Sequence, residues 1–409
     1  MGALTNLETS EDELLESLPH EVVDAATSPP TALASPTESP QDIRRLIEEP
    51  LSPDEDAPLA VSNFTNLVNE LVTRMDGSGL LLPDAQGLAE WILAGVLAGH
   101  IVLQGPPGTG KTTIARLVAD TFESSSELRT ATADWSTFDV IGGLVPATDE
   151  EGHEVLRPWL GHVTRASERC TRAVRDWMAG HAGPQAHWLI IDEFSRAEMD
   201  KAVGALYSAL GNTYERTINL WFMPNSESQI TLPKRFRIVG TMNDVDASFA
   251  YGFSKGLGRR FEFIEVGVPG PGQASEELAA AQASAARWAC AEYPALVGDT
   301  TAHLEKVLSG DSAYQTEAEK LVGFFALLRS PSVAFPMGTA QMIDVLKGVL
   351  VTSQRDTRAF DHSVSGRLVS QLSSVGRSDQ EVVLDELARR DWHQASAAAE
   401  RMFGSQRSL

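Results

Sequence analysis

Cysteine is almost missing from this sequence: Cys170 and Cys290 are the two in 409 residues. A pair so far apart supplies no disulfide framework and predicts a reducing, cytoplasmic setting. A basic leader is missing too, because the first residues are acidic and lack the positively charged start of a secretory signal. There is no long unbroken apolar run. The most apolar window, residues 88–103, contains Glu90 and His100 and is interrupted by Gly95 and Gly99. It reads as a helix followed by a strand, and no membrane partner is expected. Positive charge is scarce: 33 Lys and Arg stand against 56 Asp and Glu, a net of −23. That balance gives no support for sequence-independent DNA binding by the isolated chain.

The acidic excess is concentrated at the start. Residues 1–60 carry 14 acidic and 2 basic side chains and 8 of the 21 prolines. Such a stretch buries too little apolar surface to offset its ordering entropy, so 1–60 is expected to be a disordered acidic Pro/Ser-rich tail. Within it, Glu11 to Val23 mixes acids with Leu14, Leu15, Leu18, Val22 and Val23. A solvated tail and a helix formed on a partner are both compatible with that pattern.

From Val61 the pattern becomes globular. Apolar runs that read as strands alternate with helical periodicity as far as the Pro-Gly-rich stretch 268–272. This alternation predicts an α/β core with a parallel sheet over 61–268. Two polar interruptions flanked by short apolar segments, near 144–156 and 218–232, read as inserted hairpins. Beyond 269 the strand signals fade, and 269–409 is expected to be an all-helical lid with C-terminal helices.

The chemistry-bearing motifs follow the strands. Gly105-Pro106-Pro107-Gly108-Thr109-Gly110-Lys111-Thr112, followed by Thr113, fits G-x-x-x-x-G-K-[ST]. A short apolar strand precedes it and a helix follows, as phosphate binding requires. Backbone N–H groups of the turn and helix start cradle phosphate, Lys111 reaches the β- and γ-phosphates, and the Thr112 hydroxyl ligates Mg²⁺. Trp188-Leu189-Ile190-Ile191 then leads into Asp192-Glu193. Asp192 is placed to hold Mg²⁺ through water and Glu193 to polarise an attacking water. A third strand ends at Asn243, whose amide suits the γ-phosphate and that water, although Asn is also a common turn residue. Arg259 and Arg260 form a fourth element. A guanidinium at a subunit edge neutralises transition-state charge on a neighbour's nucleotide, but spacing alone favours a surface cation pair.

With these motifs in place, the sequence resembles the AAA+ ATPases, and within them the McrB-like, dynein-related branch that neighbours MoxR. Three segments carry the resemblance: Ile190 to Ala197, Gly240 to Asp244, and Ser254 to Phe263. Trp135 to Gly143 is similar as well. Ser195 departs from the Asn usual in that branch. The resemblance implies an ATPase, with GTP as the alternative nucleotide, working with Mg²⁺. It implies Asn243 as sensor 1, Arg260 as first choice and Arg259 as second for a trans-acting finger, and a homo-oligomeric ring, hexameric in the family. It further implies a motor for a partner nuclease on DNA, or a MoxR-like chaperone acting on a protein client. A nucleotide-gated scaffold with slow hydrolysis is the reading from another class. Gln341 stands where a sensor 2 Arg is expected, so no residue is assigned to that role.

One local feature lies outside the motifs. Arg165, Arg169, Arg172 and Arg175 run along one side of a helix over 163–178, opposite Val163, Cys170, Val174 and Trp177. Such a stripe suits nucleic acid or an acidic partner, but the pattern favours a solvated face or ring contacts with acidic neighbours.

Overall fold

The computed structural model describes residues 50–149, 151–211, 216–223, 229–243, 254–297 and 300–407. Five parallel strands form the main sheet: β1 (His100–Gly105), β2 (Ser125–Thr130), β5 (His187–Asp192), β8 (Ile238–Asn243) and β9 (Phe261–Glu265), in the order β2-β5-β8-β1-β9. β1, β5 and β8 are mainly apolar and almost wholly buried, as the inner strands of a sheet covered on both faces must be. β2, at the edge, is polar and half-exposed.

The helices are set by local signals. Asp84 caps the helix Ala85–Ala98 by accepting from Gly87 N at 2.9 Å, and Asn63 caps Phe64–Gly77 in the same way. The loop after β1 runs directly into the helix Lys111–Thr121. After β5 the chain forms a short helix, Met199–Val203, between 3₁₀ turns. There Asp200 accepts from the Ser254 backbone N–H and from the Ser254 and Tyr207 hydroxyls, tying the segment to the chain before β9.

Both expected hairpins have antiparallel strands. β3 (Gly142–Thr148) pairs with β4 (Glu154–Leu160), and β6 (Thr217–Asn219) with β7 (Gln229–Thr231). The Pro224-Asn225-Ser226 turn of the second lies outside the described residues.

Two hydrophobic cores divide the body. One runs from Leu59 to Val266 and the other from Ala281 to Phe403. Among the described residues, the elements after β9 are all helices, from Ala274–Glu292 to His393–Arg407. No helix among the described residues is long and apolar enough to cross a membrane.

The boundary read at residue 60 requires correction. Residues 1–49 lie outside the described residues, but 51–60 are packed on the core. Leu51 and Leu59 join the first core. Asp56 pairs with Arg216 and accepts from Lys234 N at 2.7 Å. Arg235, stacked 4.2 Å from the Trp177 ring centroid, donates to the carbonyls of Ala57 and Pro58. Composition suggested a tail here because proline and acid dominate the segment. Long-range partners that composition does not reveal hold it in place.

Candidate nucleotide site

β1, β5 and β8 end side by side, with Gly105 opposite Asn243 and Ile191 opposite Gly240. Their C-terminal ends deliver the three motifs to one edge of the sheet, where ligands bind in open α/β sheets. Gly108 and Gly110 take φ +75° and +84°, which favours glycine. The space is closed as well. A Cβ at Gly108 would fall 1.9 Å from the Gln341 side-chain amide, and one at Gly110 would fall 2.2 Å from Leu80 Cδ2.

Lys111 is buried, and its Nζ donates to the carbonyls of Gly105 and Pro106 at 2.9 and 2.7 Å. Thr109 Oγ1 donates to Pro106 O at 3.1 Å. The ammonium therefore lies inside the curl of the loop, where an incoming phosphate would replace carbonyl partners. Thr113 follows on the helix with an exposed side chain.

Thr112 Oγ1 donates to Asp192 Oδ1 at 2.8 Å. The two residues read as Mg²⁺ partners are thus in contact, one from the helix start and one from the end of β5. Thr241 Oγ1 donates to the same Asp192 oxygen. Thr241 was not singled out from the sequence. The signal was its position two residues before Asn243, which puts both on one face of β8.

Glu193 sits at φ +55°, a left-handed backbone uncommon for a non-glycine residue. Its carboxylate meets Asn243 Nδ2 at 3.4 Å from each oxygen, and Arg196 Nε at 3.3 Å from Oε2. Arg196 is a second partner that motif reading left without a role.

Arg259 and Arg260 lie elsewhere. Phe261 is level with His100, the first residue of β1. The pair therefore sits at the opposite end of the sheet from the phosphate loop, about 20 Å away along a six-residue strand. Arg260 Nε donates to Tyr207 O at 2.5 Å, while Arg259 is exposed. Neither reaches its own chain's loop.

The arginine stripe on His162–Met178 is largely committed within the chain. Arg169 pairs with Glu127 and Arg172 with Glu168, and Arg165 donates to Leu160 O while its guanidinium lies over Trp159. Cys170 faces the core, where burial pushes its thiol up to about 12. It is an inert packing residue rather than a reactive thiol.

Residues 100–261 match the family model described as the AAA domain, dynein-related subfamily. On a parallel sheet with the phosphate loop following β1, beside the central β8, this match supports a P-loop AAA+ ATPase, a class of nucleotide hydrolases that generally uses ATP and Mg²⁺ and commonly forms rings. Comparison with curated proteins finds no match to the chain.

Proposed function

We propose that the protein is a ring-forming ATPase that couples hydrolysis at subunit boundaries to remodelling of a partner. The observation that carries this reading is the convergence of Lys111, Thr112, Asp192, Glu193 and Asn243 at one sheet edge, while Arg259 and Arg260 lie at the other. Lys111 and the backbone N–H groups of 108–112 bind the phosphates. Thr112 and Asp192 hold Mg²⁺, which supplies charge neutralisation on the phosphates when bound. Glu193 orients and polarises the water, with Asn243 fixing the direction of its carboxylate. Arg260 of a neighbour, or Arg259, completes the site. The distance of both from their own loop supports action in trans.

A protein client suits the surface best. Leu156 and Trp221, on the two hairpins, are 63% and 67% exposed and offer apolar contacts. Of the arginines that would track DNA, Arg169 and Arg172 are ion-paired within the chain and Arg165 is bound to Leu160 O. A McrB-like motor acting on DNA with a separate nuclease is the second reading, favoured by the likeness of Ile190 to Ala197 and Trp135 to Gly143 to that branch. The deciding experiment measures phosphate release from ATP and from GTP, with and without Mg²⁺ and duplex DNA. Mg²⁺-dependent ATP turnover indifferent to DNA is expected. DNA-stimulated turnover would favour the second reading, and no turnover of either nucleotide at ring-forming concentrations would overturn both.

A further inference from the structure

A buried ion pair outside the three motifs joins the lid to the phosphate loop. Glu277, on the helix Ala274–Glu292, is 1% exposed. It receives Arg329 bidentately, at 2.6 and 2.7 Å, and the Thr339 hydroxyl at 2.7 Å. Arg329, at the end of the helix Ser312–Arg329, also donates to Met337 O and Pro269 O. One guanidinium therefore ties together the linker out of the core, two lid helices and the loop 335–338. Removing one partner of such a pair leaves the other buried and uncompensated.

That loop lies on the phosphate loop. Gly338 N donates to Pro107 O at 2.9 Å and Ala340 N to Gly108 O at 3.1 Å. Gln341, with its amide nitrogen turned to the carbonyls, donates to Pro107 O at 3.2 Å. Together with the two carbonyls held by Lys111, all four loop carbonyls from Gly105 to Gly108 are engaged. A trans peptide points its C=O and the next N–H in opposite directions. Holding the carbonyls of Pro107 and Gly108 against the lid therefore aims the N–H groups of Gly108 and Thr109 away from it.

We propose that Glu277 and Arg329 are positioning residues for nucleotide binding, acting through Gly338 and Ala340 to set the phosphate-loop amides. This rests on the nucleotide reading above. Displacing the lid releases the loop carbonyls and lowers affinity for phosphate, so lid position and nucleotide affinity are coupled.

Gly338→Ala tests this with little backbone cost, because Gly338 has φ −82°. Its Cβ would fall 2.2 Å from the carbonyl carbon and oxygen of Gly108, prising the two loops apart. Thr339→Val and Glu277→Gln test the support without adding bulk. In the full chain, KM for ATP and Kd for a fluorescent ATP analogue should rise roughly five- to tenfold, the scale of one or two lost hydrogen bonds. kcat at saturation should stay within about twofold of wild type. Hydrogen exchange at the Gly338 and Ala340 amides should speed up in Glu277→Gln. A merely structural role would lower the melting temperature and kcat together and leave KM unchanged. That pattern, or unchanged Kd in folded Gly338→Ala and Thr339→Val, would overturn the inference alone. A wild-type chain that binds neither ATP nor GTP would overturn the nucleotide reading with it.

Discussion

Glu193 and Asn243, from the ends of two neighbouring strands, face each other with the amide nitrogen 3.4 Å from both carboxylate oxygens. The contact depends on a left-handed backbone at Glu193, φ +55° and ψ 43°, which turns its side chain across to β8. A residue held in that region costs of order 1 kcal/mol or more and persists where its surroundings enforce it.

Replacing Glu193 with Gln preserves shape and removes the proposed general base. ATP turnover should fall about 10²- to 10⁴-fold while nucleotide Kd changes little. Single-turnover phosphate release alongside equilibrium binding checks this. Near-normal turnover would remove Glu193 from the chemistry.

The separation of Arg260 from its own phosphate loop predicts complementation between subunits. Arg260→Ala should lose about 10³- to 10⁵-fold in turnover if it is the finger, and Arg259→Ala far less. Mixing Arg260→Ala with Glu193→Gln subunits should restore partial activity, since some boundaries then pair an intact Glu193 with an intact Arg260. Mixtures no more active than either variant would argue against action in trans.

Thr241 donates to the Asp192 oxygen that also accepts from Thr112. Thr241→Val should leave the fold intact and raise the Mg²⁺ concentration for half-maximal hydrolysis several-fold, about the effect of one hydrogen bond to a charged group. A magnesium titration of the initial rate reads this out.

His100 is buried at the start of β1, where its Nδ1 accepts from Ile238 N at 3.0 Å. Burial, and then the charge of Arg237, push its imidazole down to about 3 from 6.5. Below about pH 6.5 the unfolded chain takes up a proton that the native state refuses, so stability drops as pH falls from there towards 3. The slope is about 1.4 kcal/mol per pH unit. Between about pH 7 and pH 5, the wild type should lose roughly 2 kcal/mol more than His100→Gln, which cannot be protonated. Urea unfolding of both proteins at the two pH values measures the difference, and equal losses would count against it.

Asp56 predicts a role for the segment before the first helix. Asp56→Ala removes the partner of Arg216 and the acceptor for Lys234 N. It should destabilise the protein by about 2–3 kcal/mol, read from the urea midpoint. A change under about 0.5 kcal/mol would mean that the strap contributes nothing.

Much of the site was legible because phosphate chemistry constrains neighbours in sequence. Gly105 to Thr112, Asp192-Glu193 and Asn243 stand at strand ends that an apolar run announces. The partners were not legible. Nothing in the spacing ties Thr241 to Asp192 or Arg196 to Glu193, and Gln341 had been noted only as the wrong residue for a sensor 2 Arg. In the structure its side chain fills the space beside Gly108. The arginine stripe illustrates the opposite case, a helical pattern clear in sequence in which Arg169 and Arg172 are spent on Glu127 and Glu168.

The sequence by itself determined the alternation of buried strands and helices, the phosphate loop, the carboxylate pair and the helical character after 269. Each is local: periodicity, glycine at a positive φ and a strand-end acid all act within a few residues. Only the tertiary structure decided that β8 lies between β5 and β1, which brings Asn243 and Thr241 to Glu193 and Asp192. It alone placed Arg260 at the far end of the sheet, residues 51–60 on the core, and the backbone of Gly338 and Ala340 on Pro107 and Gly108. Strand order and the pairing of a buried Glu277 with Arg329, 52 residues away, are set by which contacts the whole chain can satisfy at once. No local window contains that information.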